Sequence, residues 1–198
     1  MFPEVYTGEM EMAGRDFLYK ESSFYRKLYP SFLFLCSAFA GTGILFVSPL
    51  LSLALLSAGP AVEDYKTGYV DDRWSLLILL TGAVYCGIHH SFYEGFLSFL
   101  LAALVYGAVF FVVPDGIGTG DIFLSAAIAF WLEPAGVFFF IWGSCLIGAA
   151  AAAVLLIFYH VPKTYPFRFC PCIALGGVGT FVCQEMYPAV FTARFFTF

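Results

Sequence analysis

Residues 92–113 read FYEGFLSFLLAALVYGAVFFVV, and this stretch decides the fold class. It carries a single charge, Glu94, near its start. About 20 apolar residues in helical form reach across the roughly 30 Å hydrocarbon core of a bilayer. Similar runs lie on both sides. Between Lys27 and Glu63 there is no charge, and Phe32 to Ala58 reads either as one long tilted span or as a pair broken at Gly41-Thr42-Gly43 or Ser48-Pro49. The single span is preferred. Further spans are expected at Trp74 to Gly87, Phe92 to Val113, Ile122 to Leu132, Ala135 to Tyr159 and Cys172 to Val190. The expected fold class is therefore all-α, a polytopic membrane protein with about six transmembrane helices.

Composition agrees. Of the 198 residues 61% are hydrophobic and only 12% are charged, with mean hydropathy +0.88. A soluble domain of this size has no interior large enough for so much apolar surface. A net charge of −5 with few Lys and Arg argues against a nucleic-acid partner. Residues 1–29 hold nine charges interleaved with aromatics and form a polar N-terminal segment, interfacial or partly ordered; residues 30–198 form the membrane domain. No cleavable signal peptide is expected, because the first residues are polar and acidic rather than basic and then apolar.

The basic residues set an orientation. From Trp74 to Pro162 there is no Lys or Arg, while Lys66, Arg73, Lys163 and Arg168 flank that region. Four spans separate the two groups, so both face one side, which the positive-inside rule makes cytoplasmic. The Gly118–Asp121 loop lies two spans from each and faces the same way. Arg26 and Lys27 pull against this arrangement, within a segment where acids and bases are mixed. His89, His90, Glu94 and Glu133 are expected at the opposite face and are read as interfacial.

Two carboxylates carry the candidate chemistry. Asp64 follows an apolar run and Asp121 precedes one. Charge near hydrocarbon is costly, so such residues tend to face a water-accessible cavity lined by protein. Two carboxyls brought close cannot both ionise easily, and one keeps its proton. The ionised one then draws a proton from water, and the protonated one polarises a peptide carbonyl. This chemistry needs no metal and no cofactor. Gly116, Gly118 and Gly120 around it permit unusual backbone angles and close approach of a substrate strand. The bland alternative makes Asp121 a helix cap. The six cysteines are read as structural; Cys170-Pro171-Cys172 is the single close pair, and its spacing does not suit zinc.

Asp64-Tyr65-Lys66-Thr67-Gly68-Tyr69-Val70-Asp71-Asp72 and Gly118-Thr119-Gly120-Asp121 resemble the two aspartate motifs of the type IV prepilin peptidase family of GxGD aspartyl proteases. Pro166 to Gly176 resembles the family's opening of the last span, with an extra residue pair. Asp71 stands where a proline is usual, and this acidic version is similar to the archaeal preflagellin and prepilin peptidase branch. The resemblance implies an aspartic endopeptidase with Asp64 and Asp121 catalytic. It implies cleavage of type IV pilin-like or archaellin precursors, at the cytoplasmic face, ahead of an apolar helix. The paired CxxC motifs of bifunctional bacterial enzymes are absent, so a peptidase without methyltransferase activity is expected. Glu63, Asp71, Asp72 and Asp115 are candidates to attract a basic leader, or else are solvated acids and helix caps. Two other readings compete. Presenilin and signal peptide peptidase relatives also use a GxGD aspartate, but would add a Pro-Ala-Leu motif. A small proton-coupled transporter would use Asp64 and Asp121 as a relay, but would place such acids mid-span and show repeats.

Overall fold

The computed structural model describes residues 34–89, 92–112, 117–159 and 167–191. The N-terminal segment 1–29, His90, Asp115, Gly116, His160 and Lys163 lie outside the described residues. The chain falls into two compact units, Met1–Cys36 and Ser37–Phe198. Of the first, only the opening of α1 (Phe34–Ile44) is described. The remaining elements are α2 (Pro49–Thr67), α3 (Asp72–His89), α4 (Phe92–Val112), α5 (Thr119–Ala129), α6 (Pro134–Phe158), α7 (Cys170–Met186) and α8 (Pro188–Phe191). All regular structure among the described residues is helical.

The apolar stretch preferred as a single span is two helices. α1 stops at Ile44, and Ser48 caps a new helix by accepting from the Leu51 N–H at 3.4 Å. Pro49 follows at the first helical position, where a missing N–H costs nothing. The Ser52 hydroxyl donates to the Gly41 carbonyl at 2.7 Å. The Leu56 side chain packs directly on Gly41, so α1 folds back on α2. The charge-rich stretch from Glu63 to Arg73, which reads from the sequence as a polar loop between spans, is mostly helical. Glu63 to Thr67 are the last turn of α2, and only Gly68 to Asp71 connect to α3. Asp64 is therefore a helical residue.

Five helices close a ring: α2 packs on α3, α3 on α4, α4 on α6, α6 on α7, and α7 back on α2. α5 packs against α3, α4 and α7. Its 11 residues rise about 17 Å, too little to cross a bilayer. It is instead enclosed: Leu124 to Leu132 are all buried. A buried helix end needs partners for its last carbonyls. Ser98 donates to the Leu132 carbonyl at 2.7 Å, and Cys86 to that of Phe130 at 3.0 Å. The Trp131 indole N–H donates to the Ile78 carbonyl at 2.9 Å. Among the described residues, α4 and α6 are the two helices long and apolar enough to cross a membrane, and little of either is buried inside the bundle.

Close helix approach depends on small residues. Trp74, fully buried at the start of α3, lies against Gly59 of α2 so tightly that an added methyl group would overlap its ring. The Trp74 indole N–H is held by the Glu63 carboxylate at 2.6 Å, so the ring has little room to yield. Overpacking of this kind costs about 1–3 kcal/mol. Gly59→Ala is expected to lower the unfolding midpoint in detergent clearly. Gly107→Ala, with nothing within 4 Å of the new methyl group, is expected to leave it unchanged or raise it. Equal midpoints for the two variants would contradict the packing described.

Candidate active site

α2 ends, and α5 and α7 begin, at one end of the bundle, and three side chains with consequences for chemistry meet there. Asp64 sits one turn before the end of α2, after the apolar run has given way to Glu63. Asp121 is in the first turn of α5, before the apolar run begins. Cys170 is the first residue of α7. These three positions lie at helix ends, outside the apolar segments.

Local sequence explains each placement. Gly68 ends α2 in the left-handed region at φ 71, which a side chain disfavours, and its N–H returns to the Asp64 carbonyl at 2.8 Å. Gly118 is the cap residue of α5 and has no side chain to offer the first turn. Asp121, three residues on, directs its carboxyl back to the Gly118 main chain. That is half of a capping box, with the acid in the third helical position. The expected unusual backbone angle is not found at Gly118, whose φ is −75. Gly120 is helical, and a methyl group there would only touch Val70 at 3.9 Å. Among the described glycines, the left-handed conformation belongs to Gly68.

The electrostatics separate the two carboxyls. Asp121 is pushed up to about 6, first by burial and then by the nearby Asp64 carboxylate, with the Gly118 main chain pulling the other way. Asp64 is only 8% exposed. Burial raises its carboxyl, but the Arg168 guanidinium and the Cys170 N–H oppose that rise. The N–H lies at the positive end of α7, where a negative charge is favoured. The other Asp64 oxygen, Oδ2, is buried with no hydrogen-bond partner among the described residues. An orphaned buried oxygen in a native fold points to a place where water or a ligand belongs. The Cys170 thiol is held neutral by burial and by the Asp121 and Asp64 carboxylates beside it.

The other candidates separate from this pair. Glu63 is engaged by Trp74. Asp71 caps α3, accepting from the Arg73 N–H at 3.1 Å and pairing with the Arg73 side chain at 3.5 Å. Asp71 therefore does the work of a helix cap, while Glu63 is neither a solvated acid nor a cap but holds the buried indole of Trp74. Asp72 is exposed in the first turn of α3. Asp115 lies outside the described residues. Arg168 and the Cys170 N–H were not read from the sequence as part of the site. The Pro166–Gly176 motif marked the right segment but not these groups. At the other end of the bundle Glu133 is raised by burial and by the Glu94 and Glu185 carboxylates. There the Tyr85 hydroxyl meets Glu185 at 3.2 Å, and the Tyr85 ring lies 5.0 Å from that of His89. Among the described residues no group of three or more His, Cys, Asp or Glu is placed to hold a metal ion.

Residues 49–153, which include both aspartates, match the model of the type IV leader peptidase family. The chain is 31% identical over 150 residues to a protein of Bacillus subtilis (strain 168) named prepilin leader peptidase/N-methyltransferase. The match covers 71% of this chain and 59% of that relative, so the chain spans well under two thirds of the relative's length. No solved structure matches.

If the Asp64 charge helps hold the Asp121 proton, removing it must let that proton leave sooner. In Asp64→Asn, Asp121 is expected to titrate below its value of about 6 in the parent, while burial still keeps it above the ordinary carboxylate range. Infrared titration of the carboxyl band with labelled aspartate measures this. An unchanged midpoint would show that the two groups do not interact.

Proposed function

The chain belongs to the type IV leader peptidase family, and we propose that it is an aspartyl endopeptidase, with Asp64 as general base and Asp121 as general acid, that removes short basic leaders from type IV pilin-like or archaellin precursors. The observation that carries this reading is the meeting of two buried carboxyls in unequal surroundings, with one Asp64 oxygen that has no hydrogen-bond partner among the described residues.

The division of roles follows from the surroundings. Burial raises both carboxyls, but at Asp64 a guanidinium and a helix N–H oppose that rise, whereas at Asp121 a neighbouring negative charge adds to it. A water between them gives a proton to the Asp64 carboxylate as its oxygen bonds to the scissile carbonyl carbon. Asp121 gives its proton to the carbonyl oxygen, producing a tetrahedral diol. Collapse breaks the carbon–nitrogen bond. The proton held on Asp64 passes to the leaving nitrogen, and Asp121 recovers a proton from a diol hydroxyl. Both carboxyls end as they began.

The membrane setting is part of the same proposal. The chain is read as a multi-pass protein of the plasma membrane in which α5 is enclosed rather than a span, with the aspartates near the cytoplasmic face, where Lys66, Arg73, Lys163 and Arg168 cluster. The outward-facing apolar surfaces of α4 and α6 support a bilayer as their surroundings. The aspartates stand at helix ends rather than mid-helix, which favours proteolysis at a membrane face over a proton relay. With Glu63 and Asp71 committed to packing and capping, Asp72 is the exposed described acid able to attract a basic leader. The peptidase step alone is assigned here; methylation is left with the relative whose name carries it.

Purified full-length chain in bilayer discs is expected to cut a pilin-like precursor with a basic leader ahead of an apolar helix. Asp64→Asn and Asp121→Asn should each lower the rate by about 10³-fold. The double variant should fall no further, because members of one catalytic unit are not additive. Asp72→Ala should keep kcat and raise KM. Full activity in Asp121→Asn would overturn the assignment.

A further inference from the structure

Arg168 comes from the segment just before α7, 104 residues from Asp64, yet it reaches the end of α2. One guanidinium nitrogen, Nη1, donates to the Asp64 main-chain carbonyl, which also accepts from Gly68. The other, Nη2, lies 3.7 Å from where a side chain would begin on Gly68. Arg168 is only partly buried, while Asp64 beneath it is buried. A planar guanidinium can donate through one nitrogen while its other lies against Gly68, a geometry the tetrahedral ammonium of lysine does not reproduce. A cation at the C-terminal end of a helix is also favoured by the helix dipole.

We propose that Arg168 is a positioning residue for the Asp64–Asp121 pair: it fastens the end of α2 to the start of α7 and, among the described residues, supplies the positive side chain facing Asp64, thereby setting which carboxyl acts as base. This rests on the peptidase reading above. The groups around Asp64 make the assignment specific. α5 presents Asp121, α7 presents Cys170 and Cys172, and Glu63 is its neighbour on α2. The carboxyls can only oppose ionisation of Asp64, and the Cys170 thiol is held neutral by burial. Among the described residues the charged group that acts with the opposite sign is Arg168. The same attachment brings the Cys170 N–H to the Asp64 carboxyl, so one residue serves both the position and the charge of the base.

The test compares Arg168→Gln, Arg168→Lys and the parent in two readouts. Infrared titration of Asp64 needs no substrate and stands whether or not the chain cuts a precursor. Its midpoint is expected to rise by roughly one pH unit in R168Q and to stay near the parent's in R168K. In kcat/KM against pH, the acid limb, where Asp64 takes up a proton, should move up by the same amount in R168Q only. R168K should lose about 10-fold in rate with its limb in place, because the charge is kept and the fork is lost. Should R168Q not fold, R168K decides by that pattern. Parental midpoints and rates in the variants would overturn the role of Arg168. A parent chain that cuts no precursor, with the Asp64 shift still present, would instead overturn the peptidase reading.

Discussion

Two carboxyls buried within reach of each other's charge are expensive, and the rest of the molecule is arranged around that cost. Under the proposed mechanism neither could be neutralised by an intimate salt bridge without losing its role. The fold instead gives them unequal surroundings. Asp64 receives a helix N–H from α7 and the field of Arg168. Asp121 receives burial, a negative neighbour and one main-chain contact at its own helix start. The difference between these settings assigns one proton to the pair. A symmetric arrangement would leave the pair with no preferred base.

Holding that asymmetry requires three chain segments to end at one place. α2 delivers Asp64 because Gly68 stops the helix one turn later. α5 delivers Asp121 at the start of a helix too short to span, kept in place by a ring of longer neighbours. Its far end is pinned by Ser98, Cys86 and the Trp131 indole, so the near end cannot slide. α7 closes the ring and packs on both α2 and α5, which makes it the element that couples the two aspartates. Trp74 against Gly59, with Glu63 on its indole, sets how closely α3 approaches the Asp64 helix.

Much of this was legible in the chain, for physical reasons that differ by element. α4 and α6 lie within a residue or so of the expected spans, because long apolar runs leave the helix no choice but its ends. The stretch before Asp64 was misjudged as one span. Ser48-Pro49 reads as an interruption of an apolar run, but its capping hydrogen bond is what makes it a new start. Placing Asp64 in a loop failed because charge was taken as the end of the helix, whereas the stop signal is Gly68. The structure brings the two carboxyls within reach of each other's charge at the end of α2 and the start of α5, and counting spans between basic residues does not carry this, because α5 is too short to be one of them. Arg168 was visible only as a charge for orientation. Its contact with a main-chain carbonyl more than a hundred residues away has no local signature, and neither does the meeting of the Cys170 N–H with Asp64.

The central claim is that Asp64 and Asp121 share one water when a peptide is present. The most direct measurement is the distance between their labelled carboxyl carbons, by solid-state magnetic resonance, in bilayers with an uncleavable pilin-like precursor bound. A single water hydrogen-bonded to both carboxyls holds their facing oxygens roughly 5 Å apart. The account predicts a carboxyl separation of that order in the bound state, whatever the value without peptide. A bound-state separation too large for one water to bridge would contradict it.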